Sequence, residues 1–191
     1  NEMYTIQFSN EHYIIQPINN DLNTQKQLPS GKFIKWLESL VNKQDFMLQP
    51  FIHVKATIHV LLQKNFEGQW IERAKSVYAN QNFTTYDKWI KSLPSRKKAY
   101  ITLEINELLQ IIPPLLETIF HRLFEFSMNI VIDENGALWL SDFHSKPEYS
   151  LFTAVNPSLS KILERSPVEY AKYLLDSYEK GEAKHVQILP D

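Results

Sequence analysis

The chain of 191 residues contains no cysteine. That absence alone excludes disulfides, thiolate zinc cages, iron–sulfur clusters and cysteine nucleophiles, and it suits a reducing compartment. Glycine is scarce as well: Gly31, Gly68, Gly136 and Gly181 are the full set, each isolated. A phosphate-cradling loop brings several backbone N–H groups to one anion and needs clustered positions without a Cβ. No such loop lies within these residues. No apolar run approaches the roughly 20 residues that span a bilayer, and the N-terminus has no signal-peptide pattern. Neither sign of charge is in excess, with 20 Lys and Arg against 22 Asp and Glu. The charges are mixed along the chain, so no basic face for nucleic acid is expected. The run Arg96-Lys97-Lys98 reads as a solvated loop. Asn1-Glu2-Met3 is an odd beginning, and the chain is expected to be a fragment or to lack other parts.

Apolar residues make up 43% of the chain and aromatics 13%, enough for a folded core rather than a disordered segment. Residues 4–8 and 12–16 read as a hairpin around Ser9-Asn10-Glu11, followed by a polar stretch over 19–29. Ser30 then caps a helix over 31–42. Strand character over 46–64 is interrupted at Pro50 and returns over 70–79 after a turn at "NFEGQ". Residues 80–100 read as irregular with a short helix near Tyr86–Leu93. A long helical pattern covers 103–125, and Pro113-Pro114 should break or kink it. Helices are expected over 158–164 and 166–180, the second started by the capping box Ser166-Pro167-Val168-Glu169 and ended at Gly181. The mixture lacks strict β-α-β alternation. It predicts an α+β fold, mostly antiparallel sheet with packed helices, as a single domain over 1–191. Within it, 1–45 forms a hairpin and helix, and 46–191 carries the remaining sheet.

The segment "IVIDENGALWLSDFHSKP", residues 130–147, holds most of the functional information. A type I′ turn at Asn135-Gly136 would pair Ile132 with Trp139, Ile130 with Ser141 and Asn129 with Asp142. One face then carries Met128, Ile130, Ile132, Trp139 and Phe143, a core face. The other carries Val131, Leu138 and Leu140, and at its far end Asn129, Asp142 and His144. Directly paired Cβ atoms lie about 5 Å apart, so three polar side chains converge there. That corner is either a ligand site or a solvated sheet end.

This hairpin resembles the C-terminal part of ATP-grasp ligases, and above all the YheC/YheD endospore coat-associated family. Asp133, Gly136, Trp139, Ser145, Lys146 and Pro147 match the family's pattern. "PVEYAKYLL" is similar to its tail, "FMLQPFI" to its strand-to-hinge segment, and "HVLLQKNFEGQW" to its Val-x-x-Gln-x-x-x-x-Gly-x-Trp hairpin. The resemblance implies an ATP-grasp-like fold with ATP and Mg²⁺ or Mn²⁺ as cofactors. It implies metal positions at Asn129, Asp142 and His144, and an adenine pocket near Gln49, Phe51 and Ile52. It also implies spore coat proteins as partners and a cytoplasmic or coat-associated location. In the family two carboxylates and an amide hold the metal; here they are an amide, one carboxylate and an imidazole. The family's upstream Asp-x-Arg falls on Thr57 and His59, and a return-strand Arg falls near Tyr78. Two readings follow: a degenerate ATP-grasp domain with a binding or structural role and a weakened Mg-ATP site, or an active ATP-dependent carboxylate–amine ligase acting through an acyl phosphate. Lys146 and His59 are further site candidates. His53, His59 and His121 also fit structural roles, and Glu104, Glu107 and Glu117 read as the solvent face of the long helix. No Gly-x-Ser-x-Gly elbow for a serine hydrolase is present.

Overall fold

A computed structural model describes residues 3–18, 25–43, 47, 49–120 and 123–180. The chain divides into two compact units, 1–52 and 53–191.

The first unit is a three-stranded antiparallel sheet, in the order β1 (Tyr4–Ser9), β2 (His12–Pro17) and β3 (Lys26–Pro29), followed by helix α1 (Ser30–Val41). Asn10 and Glu11 take φ values of 50° and 65°, the two positive angles of a type I′ hairpin turn. Strand β3 lies within the stretch expected to be loop. Lys26 and Gln27 present no apolar alternation, but Leu28 pairs with Tyr13 and completes the sheet. Pro29, not Ser30, precedes the helix, and no side chain caps its first turn. Tyr13 stacks on Phe33 at 3.9 Å between ring centroids, with Tyr4 edge-on to Trp36, so aromatic contacts hold α1 to the strands.

The second unit is built on a five-stranded antiparallel sheet in the order β6 (Asn82–Thr85), β5 (Trp70–Ala79), β4 (Val54–Lys64), β7 (Glu125–Asp133) and β8 (Leu138–His144). Strand β4 begins after the segment around Pro50, since proline cannot donate to a ladder. Strand β6, not foreseen, arises because Asn80 and Gln81 adopt φ of 50° and 62° and return the chain in a tight hairpin. Helix α2 (Tyr86–Lys91) follows, with Thr85 Oγ1 accepting from the Lys88 N–H. Helix α3 (Ser95–Ile119) starts earlier and stops earlier than expected, and residues 125–133 are strand. Its Pro113-Pro114 pair does not end it. Short helix α4 (Ser150–Thr153) precedes α5 (Leu159–Glu179), one continuous helix where two were expected. Ser166 is not a cap there: buried, it donates from Oγ back to the Ile162 carbonyl at 2.8 Å, within the helix. Gly181 and His121 lie outside the described residues.

The sheet's two faces differ. On one, Ala56, Ile58, Val60, Leu62, Val77, Phe126, Met128, Ile130 and Ile132 form a core with Tyr86 and Ile90 of α2 and Ile101, Ile105 and Ile112 of α3. On the other, Leu61 and Ala74 pack with Phe152 of α4 and Leu163 of α5, a smaller core covering part of the face.

The hairpin of β7 and β8 departs from the expected register. Its loop spans three residues: Asp133 N–H donates to the Ala137 carbonyl and Gly136 N–H to the Asp133 carbonyl, with Gly136 at φ +88°. A left-handed glycine closing such a loop costs little, whereas a Cβ there is strained. The added loop residue pairs Ile132 with Leu138, Val131 with Trp139 and Ile130 with Leu140. Leu138 therefore packs on the core face and Trp139 on the opposite one, the reverse of the expectation. Ser141 then bulges out of the ladder, and Asn129 lies opposite Asp142 after all.

Candidate functional site

The second sheet face is organised in cross-strand rows. The row nearest the hairpin loop runs Phe83, Tyr78, Thr57, Val131 and Trp139 across all five strands. Phe83, Tyr78 and Trp139 are exposed, and the Trp139 indole N–H donates to Asp133 Oδ2 at 3.1 Å. That bond and the loop N–H groups hold the Asp133 carboxyl below its ordinary range. The next row runs Ser76, His59, Asn129 and Asp142, and the third runs Ala74, Leu61, Ser127 and His144 under α4. At the third row the helices begin to cover the sheet, and a cleft forms at that step.

The cleft holds about 190 Å³ and is lined by His59, Ser127, Asn129, His144, Lys146, Glu148, Leu151 and Phe152. Strand register places His59 of β4 against Asn129 of β7. His59 Nδ1 donates to Asn129 Oδ1 at 2.8 Å, and Asn129 Nδ2 faces His144 Nε2 at 3.4 Å. An amide between two imidazoles fixes both tautomers: with Oδ1 accepting, His59 carries its hydrogen on Nδ1, and His144 Nε2 is left as an acceptor. Burial lowers the pKa of His59, and the neighbouring His144 lowers it further, against the Asn129 bond and Glu148.

Of the expected metal positions, Asn129 and His144 line this cleft. Asp142 is exposed, accepts from Ser141 Oγ at 2.7 Å and is absent from the lining. Among the described residues, no three His, Cys, Asp or Glu side chains come together as a metal cage. Lys146 and His59, named from sequence, both line the cleft. Gln49, Phe51 and Ile52 lie in the first unit, outside regular structure, with Gln49 and Phe51 exposed. Thr57 and Tyr78 face each other across β4 and β5.

Sequence reasoning missed Ser127, Glu148, Leu151 and Phe152. Ser127 was within reach, two residues before Asn129 and so on its face of the strand. The others follow Pro147, where no periodicity guides the reading. The family-like residues Gln63, Gly68 and Trp70 make contacts within the fold. Gln63, buried, donates from Nε2 to Glu125 Oε2 at 2.7 Å and to the Tyr149 hydroxyl at 3.0 Å, and Tyr149 also donates to Glu125. Burial and then Glu125 raise the Tyr149 pKa. Gly68, at φ +75°, lies so near the Tyr173 ring that a Cβ would sit 2.7 Å from its hydroxyl. Trp70 lies under the Lys64 ammonium, which also pairs with Glu117, so Glu117 is not merely a solvent-face residue.

No helix among the described residues is long and apolar enough to cross a membrane. The family model for YheC/D-like ATP-grasp proteins matches residues 1–174. The endospore coat-associated protein YheC of Bacillus subtilis (strain 168) is 24% identical over 183 residues, covering 86% of this chain and 50% of YheC. The chain thus spans about half the length of that relative. Among solved structures, N5-carboxyaminoimidazole synthetase from Staphylococcus aureus is similar at 17% identity and a TM-score of 0.39, over 68% of this chain and 34% of the enzyme. Its complex with ADP gives the same identity and TM-score, over 78% and 36%. N5-carboxyaminoimidazole ribonucleotide synthetase from Thermotoga maritima matches at 10% identity and a TM-score of 0.35, over 66% and 30%. By its α+β architecture, its antiparallel sheet and the extent of the family match, the chain belongs to the YheC/D-like ATP-grasp family.

Proposed function

We propose that this chain is a binding domain of ATP-grasp descent whose magnesium–nucleotide site is degenerate. The observation that carries the reading is the engagement of Asn129. Its amide oxygen, the atom a cation would want, already accepts from His59, and its nitrogen faces His144. Mg²⁺ requires oxygen ligands in a near-octahedral shell, and imidazole suits transition metals better. Asp142, the remaining carboxylate of the motif, is held by Ser141 outside the cleft lining. The donor set therefore does not fit the hard cation that an ATP-grasp ligase places between phosphates. By the family resemblance, Thr57, His59 and Tyr78 replace carboxylate and guanidinium groups, and none of the three supplies a bidentate cationic fork. Likeness to the coat-associated relative supports a role in the spore coat for the same domain.

Calorimetric and thermal-shift titration of the full chain with ATP, with and without Mg²⁺ or Mn²⁺, tests this reading. A functional site filled at 100 times its dissociation constant would add about 2.7 kcal/mol of stability. No metal-dependent shift is expected. Strong metal-dependent ATP binding, lost in Asp142→Ala, would instead support an active ATP-dependent ligase.

A further inference from the structure

The same cleft carries an unsatisfied set of donors. Ser127 is buried, with 6% of its surface exposed, and lines the cleft, yet its hydroxyl makes no hydrogen bond to any described residue. Its oxygen is accessible, so the hydroxyl can donate to a ligand in the cleft. Lys146 lines the cleft too and forms no ion pair with any described residue. His144 accepts at Nε2, so in its neutral form Nδ1 bears the hydrogen and is a third donor. The one carboxylate in the lining, Glu148, accepts from Ser150 Oγ at 2.7 Å. On the β5–β6 side His59 meets the Phe83 ring and, in register, Ser76, neither of them charged. A hydroxyl, an ammonium and an imidazole N–H around about 190 Å³ suit the oxygens of a small anion rather than a cation.

We propose that this cleft takes a phosphate-type oxyanion directly, on Lys146, Ser127 and His144, with no divalent cation between protein and ligand. The proposal rests on the degenerate-site reading above, since an intact magnesium site would claim the same corner. It assigns a ligand where that reading only removes one. Lys146 and Glu148 are the charged residues of the lining, whereas Asp142 lies outside it with its carboxylate accepting from Ser141.

The test is a nuclear magnetic resonance titration of the full chain with inorganic phosphate in EDTA, ionic strength held constant with chloride. The reporters are the Asn129 side-chain amide and the Ser127 backbone N–H. Saturable shifts are expected at both. Lys146→Gln should weaken binding about tenfold, the scale of one charge-assisted hydrogen bond, and Lys146→Arg should restore most of it. Ser127→Ala, a substitution small enough to leave the fold intact, should weaken it less. Parallel titrations with glycerol phosphate and metal-free ATP separate free phosphate from a phosphate ester as the better ligand. Shifts that do not saturate, that chloride reproduces, or that survive Lys146→Gln unchanged would overturn the proposal. A flat phosphate titration with no metal-dependent ATP binding sinks the anion site and leaves the degenerate-site reading standing. Metal-dependent ATP binding sinks both.

Discussion

The five-stranded sheet has one face closed against α2 and α3 and another only partly roofed by α4 and α5. On the closed face the rows are mostly apolar, with Ile58, Val60, Met128 and Ile130 fully buried, and Lys75, opposite Val60, lies over the Tyr86 ring. On the other, each step toward the hairpin loop changes the chemistry: Leu61 and Ala74 under helices, then the amide and imidazoles, then exposed rings. Stability is concentrated on the closed face, because buried apolar area is its main source. Recognition is left to the boundary of the partial roof, where polar groups are sheltered without being fully dehydrated.

Ile130→Ala on the closed face should remove about 3 kcal/mol, as a transfer loss plus an unfilled cavity, measured by urea unfolding. Val131→Ala, one residue on and facing the other way, should cost well under half of that. Equal losses would break the distinction between the faces. Gly68→Ala comes next, at about 2 kcal/mol, because it combines a left-handed φ with a Cβ pressed on Tyr173 of α5. Tyr149→Phe should cost about 1 kcal/mol in the same assay, since Glu125 loses one of its donors at the edge of the roof. His59 adds a pH dependence. Its folded-state pKa lies below the ordinary 6.5, so on acidification the unfolded chain takes up the proton first. Stability held above about 6.5 is then lost as pH falls through the folded-state value. His59→Gln should flatten that slope in unfolding curves recorded across pH 7.5 to about 5. The smallest effect is expected at Arg165→Gln, which removes an exposed one-turn pair with Glu169 and should change stability by no more than about 0.5 kcal/mol.

Much of this architecture could be read from the residues, and the misreadings have physical causes. Alternating apolar residues revealed β4, β5 and β7, and helical spacing revealed α1 and most of α3. Strands β3 and β6 escaped because four-residue polar strands carry no periodicity, and only their partners' ladders define them. Ser166-Pro167 looked like a helix start, but tertiary packing of Leu163 and Ser166 holds a continuous helix through the proline. At the site, pairing logic brought Asn129 opposite Asp142, and two errors cancelled in doing so. The loop has three residues where Asn135-Gly136 predicts two, and the Ser141 bulge, which no local pattern signals, restores the pairing. No local signal separated Glu148 or Phe152 from ordinary loop and core, because their place in the cleft depends on how α4 docks.

The bulge at Ser141 divides β8 into two segments whose facing is set separately. The loop end follows Gly136 and its hydrogen-bonded closure, whereas residues 142–144 take their orientation from the ladder beyond the extra residue. Loop variants that preserve the ladder can therefore exchange Trp139 for other side chains without rotating His144 away from Ser127. Deleting Ser141 would remove the extra residue and leave a regular ladder, with Leu140 still opposite Ile130 and Asp142 opposite Asn129, so that His144 keeps its place beside Ser127 and Phe143 stays on the core face.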